Sequence, residues 1–352
     1  MTQDTKKILP PPGVVRVVID TDTANSIDDQ FAIAWALRSP ERVNLEAIYA
    51  APYAKDIFKQ IDASGTAKDY IQKITYEGGG TPEEGMLASY REIEKVCALC
   101  GADMDGRIFH GATRFMRSEH DPVDSDAVQD LIRRAKQKGT LYVVCIASIT
   151  NVASAIMLDP SIRDNIVLVW LAGEPLHFPH GFEYNLSQDL FASRYIFDCG
   201  VPLVFVPCMS VASHLSISKE EVDEQLAGKN PICNYLAGVL YDLFPKDASV
   251  ADEMMLYNKV GNLKDVYDLT DEESAAYQTA HYAVGRIIWD IAPMAYIINP
   301  TWCPCYDAPS PILLEHSRWG KTDPSRHKIK VCSYLFRDCI FGDLLAKLAE
   351  ND

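Results

Sequence analysis

The stretch that decides the fold is residues 14–37, which read VVRVVIDTDTANSIDDQFAIAWAL. Its first part, residues 14–19, is a short β-branched run that predicts a buried strand ending at Asp20. After a polar loop, the spacing of apolar residues from Asp28 to Leu37 predicts a helix that begins with acidic residues. The stretch is therefore a strand, a loop and a helix, which is the unit from which parallel sheets are built.

The same unit recurs along the chain. Further strands are predicted at residues 44–50, 141–146, 166–171 and 202–206, and helices at 126–138, 150–158 and 189–198. This alternation predicts an α/β fold, with an open, mostly parallel central sheet covered by helices on both faces. In such sheets ligands bind outside the carboxyl ends of the strands, so the loops that follow strands are where chemistry is expected.

We see no linker or repeat, and the sequence favours one domain over residues 1–352. Mainly helical insertions are expected at about 218–290. A segment at 300–352, rich in proline and cysteine at its start, is expected to wrap the surface before a last strand at 328–335 and a helix at 343–349.

Composition excludes several classes of partner. The formal net charge is −16, and nucleic-acid binding needs a basic footprint. No apolar run approaches the roughly 18 residues that a membrane span requires. Ten cysteines in 352 residues are too sparse for a disulfide scaffold, which favours free thiols and a reducing, cytoplasmic location. The pairs Cys97/Cys100 and Cys303/Cys305 lack the second pair that a zinc site needs.

Four carboxylates, those of Asp20, Asp22, Asp28 and Asp29, lie within ten residues directly after the first strand. Clustered carboxylates repel one another unless protons or a metal neutralise them, and Ca²⁺ prefers six to eight oxygen ligands. An EF-hand is excluded, because the loop lacks the glycine and glutamate that this motif requires. The helix dipole favours Asp28 and Asp29 in a first turn, but it leaves Asp20 and Asp22 unexplained.

One alternative is a Mg²⁺-dependent phosphatase of the haloacid dehalogenase type. Its nucleophile motif, an apolar strand followed by Asp-x-Asp-x-Thr/Val, resembles residues 17–23. Against it stand the immediate Asp28-Asp29 pair and the absence of an evident later lysine followed by a Gly-Asp-x-x-x-Asp loop.

The whole pattern resembles the nucleoside hydrolase family, whose signature after the first strand is Asp-x-Asp-x-Gly-x-Asp-Asp. Here the corresponding loop, residues 20–29, is two residues longer and has no glycine. Residues 147–153 resemble the family's Gly-Pro-Leu-Thr-Asn segment, residues 183–185 its Glu-Phe-Asn, and Trp289-Asp290 its final His-Asp pair. The order and spacing of these segments carry the resemblance over roughly residues 14–300.

The resemblance implies a ribonucleoside hydrolase that cleaves the N-glycosidic bond to give free base and ribose. It further implies that Ca²⁺ is held by Asp22, Asp29, Asp290 and the backbone carbonyl of Thr150, with Asp22 also acting as general base towards a calcium-bound water. By the same resemblance, Asp28, Glu183 and Asn185 bind the ribose hydroxyls and Asp20 supports the loop. The partner is then a small ribonucleoside, and a homodimer or homotetramer is expected.

The sequence departs from the family where the leaving base is protonated. Trp289 stands in place of the family's histidine, and an indole does not donate a proton as an acid does. Either His180 or His177, in the loop before Glu183, supplies the proton, or the base leaves with help from stacking and solvent alone. We predict His180 as the catalytic acid and Trp289 as a residue that stacks on the base. A purine, a pyrimidine or a modified base such as that of queuosine is left open, as is a catalytically quiet nucleoside- or ribose-binding protein.

Overall fold

The computed structural model describes residues 8–54, 80–243, 270–273 and 285–350. The strands are β1 (Val15–Thr21), β2 (Val43–Ala50), β3 (Ile108–His110), β4 (Leu141–Ile146), β5 (Ile166–Leu171), β6 (Leu203–Val206), β7 (Ser216–Ser218), β8 (Gly285–Ile287), β9 (Cys305–Pro309) and β10 (Lys328–Cys332). The helices are α1 (Asp28–Leu37), α2 (Pro82–Leu99), α3 (Asp126–Ala135), α4 (Thr150–Leu158), α5 (Tyr184–Gln188), α6 (Leu190–Cys199), α7 (Lys219–Gln225), α8 (Pro231–Leu243), α9 (Ile291–Ile298) and α10 (Arg337–Ala349).

Eight of these strands form one sheet in the order β3-β2-β1-β4-β5-β6-β10-β9. Every neighbouring pair is parallel except β10 and β9, which are antiparallel. Strands β7 and β8 form a separate antiparallel pair. The predicted fold class, an open and mostly parallel sheet with helices on both faces, is confirmed.

The sheet is buried on both faces because its central strands are mostly apolar. Along β1, Val17 and Ile19 belong to one buried cluster, whereas Val18 belongs to the other. Along β4, Val144 belongs to the same cluster as Val17 and Ile19, whereas Val143 belongs to the same cluster as Val18. Side chains of a strand alternate between faces, so each strand contributes to two cores at once.

The strand order places a switch point between β1 and β4. From β1 the chain runs outward through β2 to β3 and then returns to the other side of β1 as β4. The loops leaving β1 and β4 therefore diverge to opposite sides, which opens a crevice at their carboxyl ends. Thr21 and Ile146 are the paired last residues of these strands, so the acidic loop and the loop before α4 face this crevice.

The second half of the chain differs from the prediction in its boundaries. The helix expected at 189–198 is preceded by a separate short helix, α5, and the last strand ends at Cys332 instead of residue 335. The last helix begins six residues earlier than expected, at Arg337. Strand β9 was not predicted, because its sequence contains Asp307 and Pro309; an edge strand tolerates both, since one of its sides needs no ladder partner.

The predicted insertion at 218–290 is helical at α7 and α8, but most of the remainder lies outside the described residues. Within the described parts of the chain, no helix is both long and apolar enough to cross a bilayer.

Candidate active site

Asp20 lies in β1 with no solvent exposure. Its carboxylate accepts hydrogen bonds from the side-chain amide of Asn151 (Nδ2 to Oδ1, 2.8 Å) and from the thiol of Cys145 (3.7 Å). Burial raises the pKa of Asp20 to about 7, and these two hydrogen bonds oppose that rise. Asp20 thus connects β1 to β4 and to the first turn of α4, which are the segments that meet at the switch point.

The centre of the crevice is a group of three buried carboxylates. Asp28 and Asp29 begin α1, and Asp290 immediately precedes α9; ligand oxygens of the three all lie within 4.8 Å of one another. Neither helix is capped by these side chains, because the N-cap of α1 is Ile27 and Asp290 makes no capping hydrogen bond. Helix capping therefore does not explain why acids from distant parts of the sequence converge here.

The hydrogen bonds of this group are incomplete. Asp28 Oδ2 accepts the backbone N–H of Trp289 (3.1 Å), and Asp29 Oδ1 accepts the hydroxyl of Thr21. The other oxygens, Asp28 Oδ1 and Asp29 Oδ2, are buried with no hydrogen-bond partner. Buried polar atoms are nearly always satisfied, so unpaired oxygens that converge in one place indicate a missing ligand.

The raised pKa values of Asp29 and Asp290 also indicate a missing ligand. Burial, followed by the charge of Asp28, raises the pKa of Asp29 to about 8. Burial, followed by the charges of Asp28 and Asp29, holds the pKa of Asp290 well above its usual value. Carboxylates arranged like this bind protons or a cation, and an all-oxygen donor set suits hard divalent cations. The residues therefore fit a metal site.

Asp22 lies beside this group but outside the tight triad. Its Oδ2 accepts a hydrogen bond from the Asn25 amide (3.3 Å), and burial, then the charge of Asp29, raises its pKa well above the usual value. The sequence places Asp22 among the metal ligands and Asp28 at the ribose, whereas the structure brings Asp28 closest to Asp29 and Asp290. The two residues by which this loop exceeds the family pattern lie between Asp22 and Asp28.

Thr150, predicted to offer its backbone carbonyl to the metal, is the first residue of α4. Its hydroxyl donates to Asp189 Oδ2 at 2.7 Å. Asp189 also accepts the backbone N–H groups of Met116 (2.9 Å) and Ala192 (3.0 Å). This buried carboxylate ties the loop after β4 to the start of α6, and no sequence signal singled it out.

Glu183 and Asn185, predicted to bind ribose, are buried in the loop after β5. Glu183 is the N-cap of α5. Its carboxylate accepts the backbone N–H groups of Gly173 (2.7 Å), Asn185 (2.9 Å) and Leu186 (3.1 Å). The side-chain amide of Asn185 donates to the carbonyl of Leu171, the last residue of β5 (3.1 Å). Both side chains are therefore fixed in orientation before any ligand arrives.

The two residues predicted to contact the base are less deeply buried. Trp289 is half-buried, packs against one of the two cores, and lies directly before Asp290. His180 is also half-buried; its Nδ1 accepts the backbone N–H of Phe182 (3.3 Å), and its backbone forms a bridge with Arg318. A histidine whose Nδ1 is an acceptor carries its proton on Nε2 when neutral.

Glu174 is a site residue that the sequence analysis missed. It is 1% exposed, follows β5, and accepts the backbone N–H of Met209 at 3.1 Å. Burial, followed by the charge of Glu183, raises the pKa of Glu174 to about 9. At neutral pH it is therefore a protonated acid beside Glu183. A single glutamate in a loop gives no pattern by which sequence reasoning identifies it.

Tyr53 and Tyr184 lie close enough to Asp22 for its charge to act on both phenols. Tyr53 follows β2 and donates its hydroxyl to the carbonyl of Ala24 in the acidic loop (3.2 Å). Burial raises the pKa of Tyr53 and that of Tyr184, and in both cases the charge of Asp22 is the next cause. Both tyrosines therefore remain neutral phenols at the edge of the carboxylate group.

Comparison with known proteins identifies the arrangement. The sequence profile described as "Inosine-uridine preferring nucleoside hydrolase" matches residues 17–334. The chain belongs to the nucleoside hydrolase family. A relative, the probable uridine nucleosidase 2 of Arabidopsis thaliana, is 23% identical over 236 residues, which is 64% of this chain and 68% of that protein.

Solved structures share the fold of this nucleoside hydrolase. A plant nucleoside hydrolase superposes with a TM-score of 0.65 at 17% identity, covering 97% of this chain and 100% of the other. A purine-preferring ribonucleoside hydrolase from Gardnerella vaginalis gives a TM-score of 0.62 at 18% identity, covering 95% and 98%. At these identities the structures show the fold, and the family assignment comes from the profile match.

This nucleoside hydrolase is accordingly an enzyme of the N-glycosidase class. The profile match includes residues 17–23, where the phosphatase resemblance was found, and it places them in a different family.

Proposed function

We propose that the chain hydrolyses the N-glycosidic bond of a ribonucleoside, giving free base and ribose, with Ca²⁺ bound by Asp22, Asp29, Asp290 and the carbonyl of Thr150. The observation that carries the proposal is the convergence of the buried Asp28, Asp29 and Asp290 carboxylates at the switch point of the sheet, with unpaired oxygens on Asp28 and Asp29. In the proposal the unpaired Asp29 oxygen binds the ion and the unpaired Asp28 oxygen, beside it, binds the ribose. Calcium is favoured over magnesium because a site built wholly from protein oxygens suits its flexible, high coordination.

In this proposal the ribose hydroxyls are bound by Asp28, Glu183 and Asn185. Burial raises the pKa of Glu183, and the backbone hydrogen bonds that it accepts oppose that rise; these bonds also hold its carboxyl group in place to bind a sugar hydroxyl. The bond from Asn185 Nδ2 to Leu171 fixes which way its amide points. A site preorganised in this way favours ribose over deoxyribose, because an absent hydroxyl leaves buried polar groups unpaired.

The same residues suit the chemistry of glycosidic cleavage. The transition state resembles an oxocarbenium ion, and surrounding carboxylates stabilise its positive charge. A bound divalent cation would neutralise part of the carboxylate charge and lower the pKa of water. Asp22 would accept a proton from the attacking water, while Tyr53 and Tyr184 beside it limit access of bulk solvent.

Departure of the base needs a proton or a stacking partner. His180 stays our prediction for the proton donor, and half-buried Trp289 our prediction for the stacking surface. Glu174 is protonated at neutral pH and offers a hydrogen-bond donor beside Glu183. We further infer a homodimer or homotetramer in the cytoplasm, acting on a small nucleoside; size-exclusion chromatography with light scattering tests the assembly.

A reducing-sugar assay over purine, pyrimidine and modified ribonucleosides tests the proposal. We expect ribose release that stops on chelation and returns with Ca²⁺. A matched control is Asp338→Ala, since the side chain of Asp338 is 94% exposed and its loss should leave the rate unchanged. Thermal stabilisation by nucleosides without ribose release would instead show a quiet binding protein, and phosphate release with Mg²⁺ would show a phosphatase.

A further inference from the structure

Two cysteines face each other on neighbouring strands at the edge of the sheet. Cys305 is the first residue of edge strand β9, and Cys332 is the last residue of β10; they are direct partners in the antiparallel register. The ten cysteines of the chain are all free thiols in this structure. The sequence spacing had paired Cys303 with Cys305, whereas the fold pairs Cys305 with Cys332.

The hydrogen-bond pattern of the ladder defines the geometry of this pair. Ser333 N–H donates to the Pro304 carbonyl (2.9 Å), and Ser310 N–H donates to the His327 carbonyl (2.8 Å). In an antiparallel ladder, pairs with and without mutual backbone hydrogen bonds alternate. Because the pairs at both ends, Pro304 with Ser333 and Ser310 with His327, are hydrogen-bonded, the adjacent pair Cys305 and Cys332 is one without such bonds. The Cα atoms of such a pair lie about 4.5 Å apart, with the side chains closer than in the alternate type. That separation falls in the range of about 4.4–6.8 Å found in disulfides.

The thiols are already in contact. A hydrogen bond with Cys305, followed by burial, raises the pKa of Cys332. Cys305 also donates to the Cys303 carbonyl (3.1 Å), and Cys332 to the Tyr334 carbonyl (3.3 Å). Cys332 is 1% exposed, whereas Cys305 is half-buried at the sheet edge. One thiol is therefore accessible to a reagent and the other is held next to it.

A metal site does not account for these residues. Among the described residues, the only three metal-ligating side chains whose ligand atoms all lie within 4.8 Å of one another are aspartates. Cys303 is buried, but it lies two residues before Cys305 and outside the ladder pair.

We propose that Cys305 and Cys332 form a reversible thiol–disulfide site that reacts with a low-molecular-weight disulfide such as glutathione disulfide. The Cys305 thiolate attacks one sulfur of the reagent, so a mixed disulfide forms and one glutathione thiol leaves. Cys332 then loses its proton to solvent and attacks Cys305 Sγ, which forms the Cys305–Cys332 bond and expels the second glutathione thiol. The two cysteines are oxidised by two electrons, and one glutathione disulfide is reduced to two thiols.

The test uses the folded full-length chain. It is incubated with glutathione disulfide, free thiols are alkylated before unfolding, and tryptic peptides are analysed by mass spectrometry. We expect peptide 287–318 joined to peptide 331–337 with the loss of two hydrogen atoms, and the link should disappear with dithiothreitol. The exposed Cys339, in peptide 338–347, reports general thiol reactivity and should carry only glutathione.

Three serine variants test which cysteines form the link. Cys303→Ser should keep the link at the wild-type level, whereas Cys305→Ser and Cys332→Ser should each reduce it at least about tenfold, because the remaining thiol has no opposed partner. Circular dichroism melts confirm that each variant folds, and the wild-type unfolding midpoint should rise on oxidation. Absence of the link in wild-type protein, or its persistence in Cys305→Ser through Cys303, would overturn the proposal.

Discussion

Two aspartates in this enzyme, Asp130 and Asp29, are both buried, but their charged neighbours are of opposite sign. Asp130 in α3 is 4% exposed and is bonded to Arg133, Arg134 and the Tyr49 hydroxyl (2.9 Å). Asp29 has no exposure, and its nearest charged neighbours are acids. A buried acid paired with arginine is part of the scaffold. A buried acid surrounded by acids requires a ligand from outside the chain, so the identity of the neighbours separates site from scaffold.

The variants Asp22→Ala and Asp290→Ala test this contrast between site and scaffold most directly, because both should lose turnover. Both should fold, because within the described residues neither side chain makes a helix-capping hydrogen bond or an ion pair with an arginine or lysine, yet each should lower kcat/KM at least about a hundredfold. Steady-state ribose release measures the rate, and circular dichroism checks the fold. Near-wild-type rates in both variants would contradict the proposed site.

Asp130→Asn should behave in the opposite way. Removing the charge of Asp130 takes away the closer ion-pair partner of the largely buried Arg134, which keeps only the 3.5 Å contact with Glu46, and should lower the free energy of unfolding by roughly 3 kcal/mol. Turnover per folded molecule should stay close to that of the wild type, since Asp130 contacts none of the crevice residues named above. Urea unfolding measures the stability; a large loss of kcat at unchanged stability would contradict a purely structural role for Asp130.

Calcium should stabilise the protein through the acidic group alone. At about a hundredfold excess over its dissociation constant, a ligand specific to the folded state adds about 2.7 kcal/mol. The unfolding midpoint should therefore rise with Ca²⁺ in the wild type and in Asp130→Asn, and should not respond in Asp29→Asn. Differential scanning fluorimetry after chelation measures this, and an equal response in Asp29→Asn would place the cation elsewhere.

The contrast also explains which parts of the fold and of the candidate site could be predicted from the sequence. The strand, acidic loop and helix of residues 14–37 are contiguous, so their pattern predicts both the parallel sheet and the carboxylate-rich crevice. Asp290 and Glu183 were found only through short motifs shared with a family. Glu174 carries no such pattern, because its character comes from burial and from the charge of Glu183.

The sequence also could not predict the local geometry. The loop that carries Asp22 and Asp28 is two residues longer than the family pattern, and its sequence does not say which of the two lies closest to Asp29 and Asp290. The pairing of Cys305 with Cys332 depends on β9, whose proline and aspartate do not predict a strand. Sequence patterns identified the acidic residues, and three-dimensional packing determined their neighbours.

The smallest expected effect concerns the pH dependence of stability at Glu174. Its pKa rises from 4.5 to about 9 in the folded protein, so the folded state binds this proton more tightly than the unfolded chain does. Its contribution to stability is fully present below pH 4.5 and is lost as the pH rises through about 9. With Ca²⁺ present throughout, the wild-type unfolding midpoint should therefore fall towards alkaline pH more steeply than that of Glu174→Gln, which keeps the shape of the protonated acid and cannot ionise. Glu174→Ala is the control for lost packing and should be less stable at every pH. Parallel slopes in wild type and Glu174→Gln would mean that this buried acid, like Asp130, already has the partners it needs when ionised.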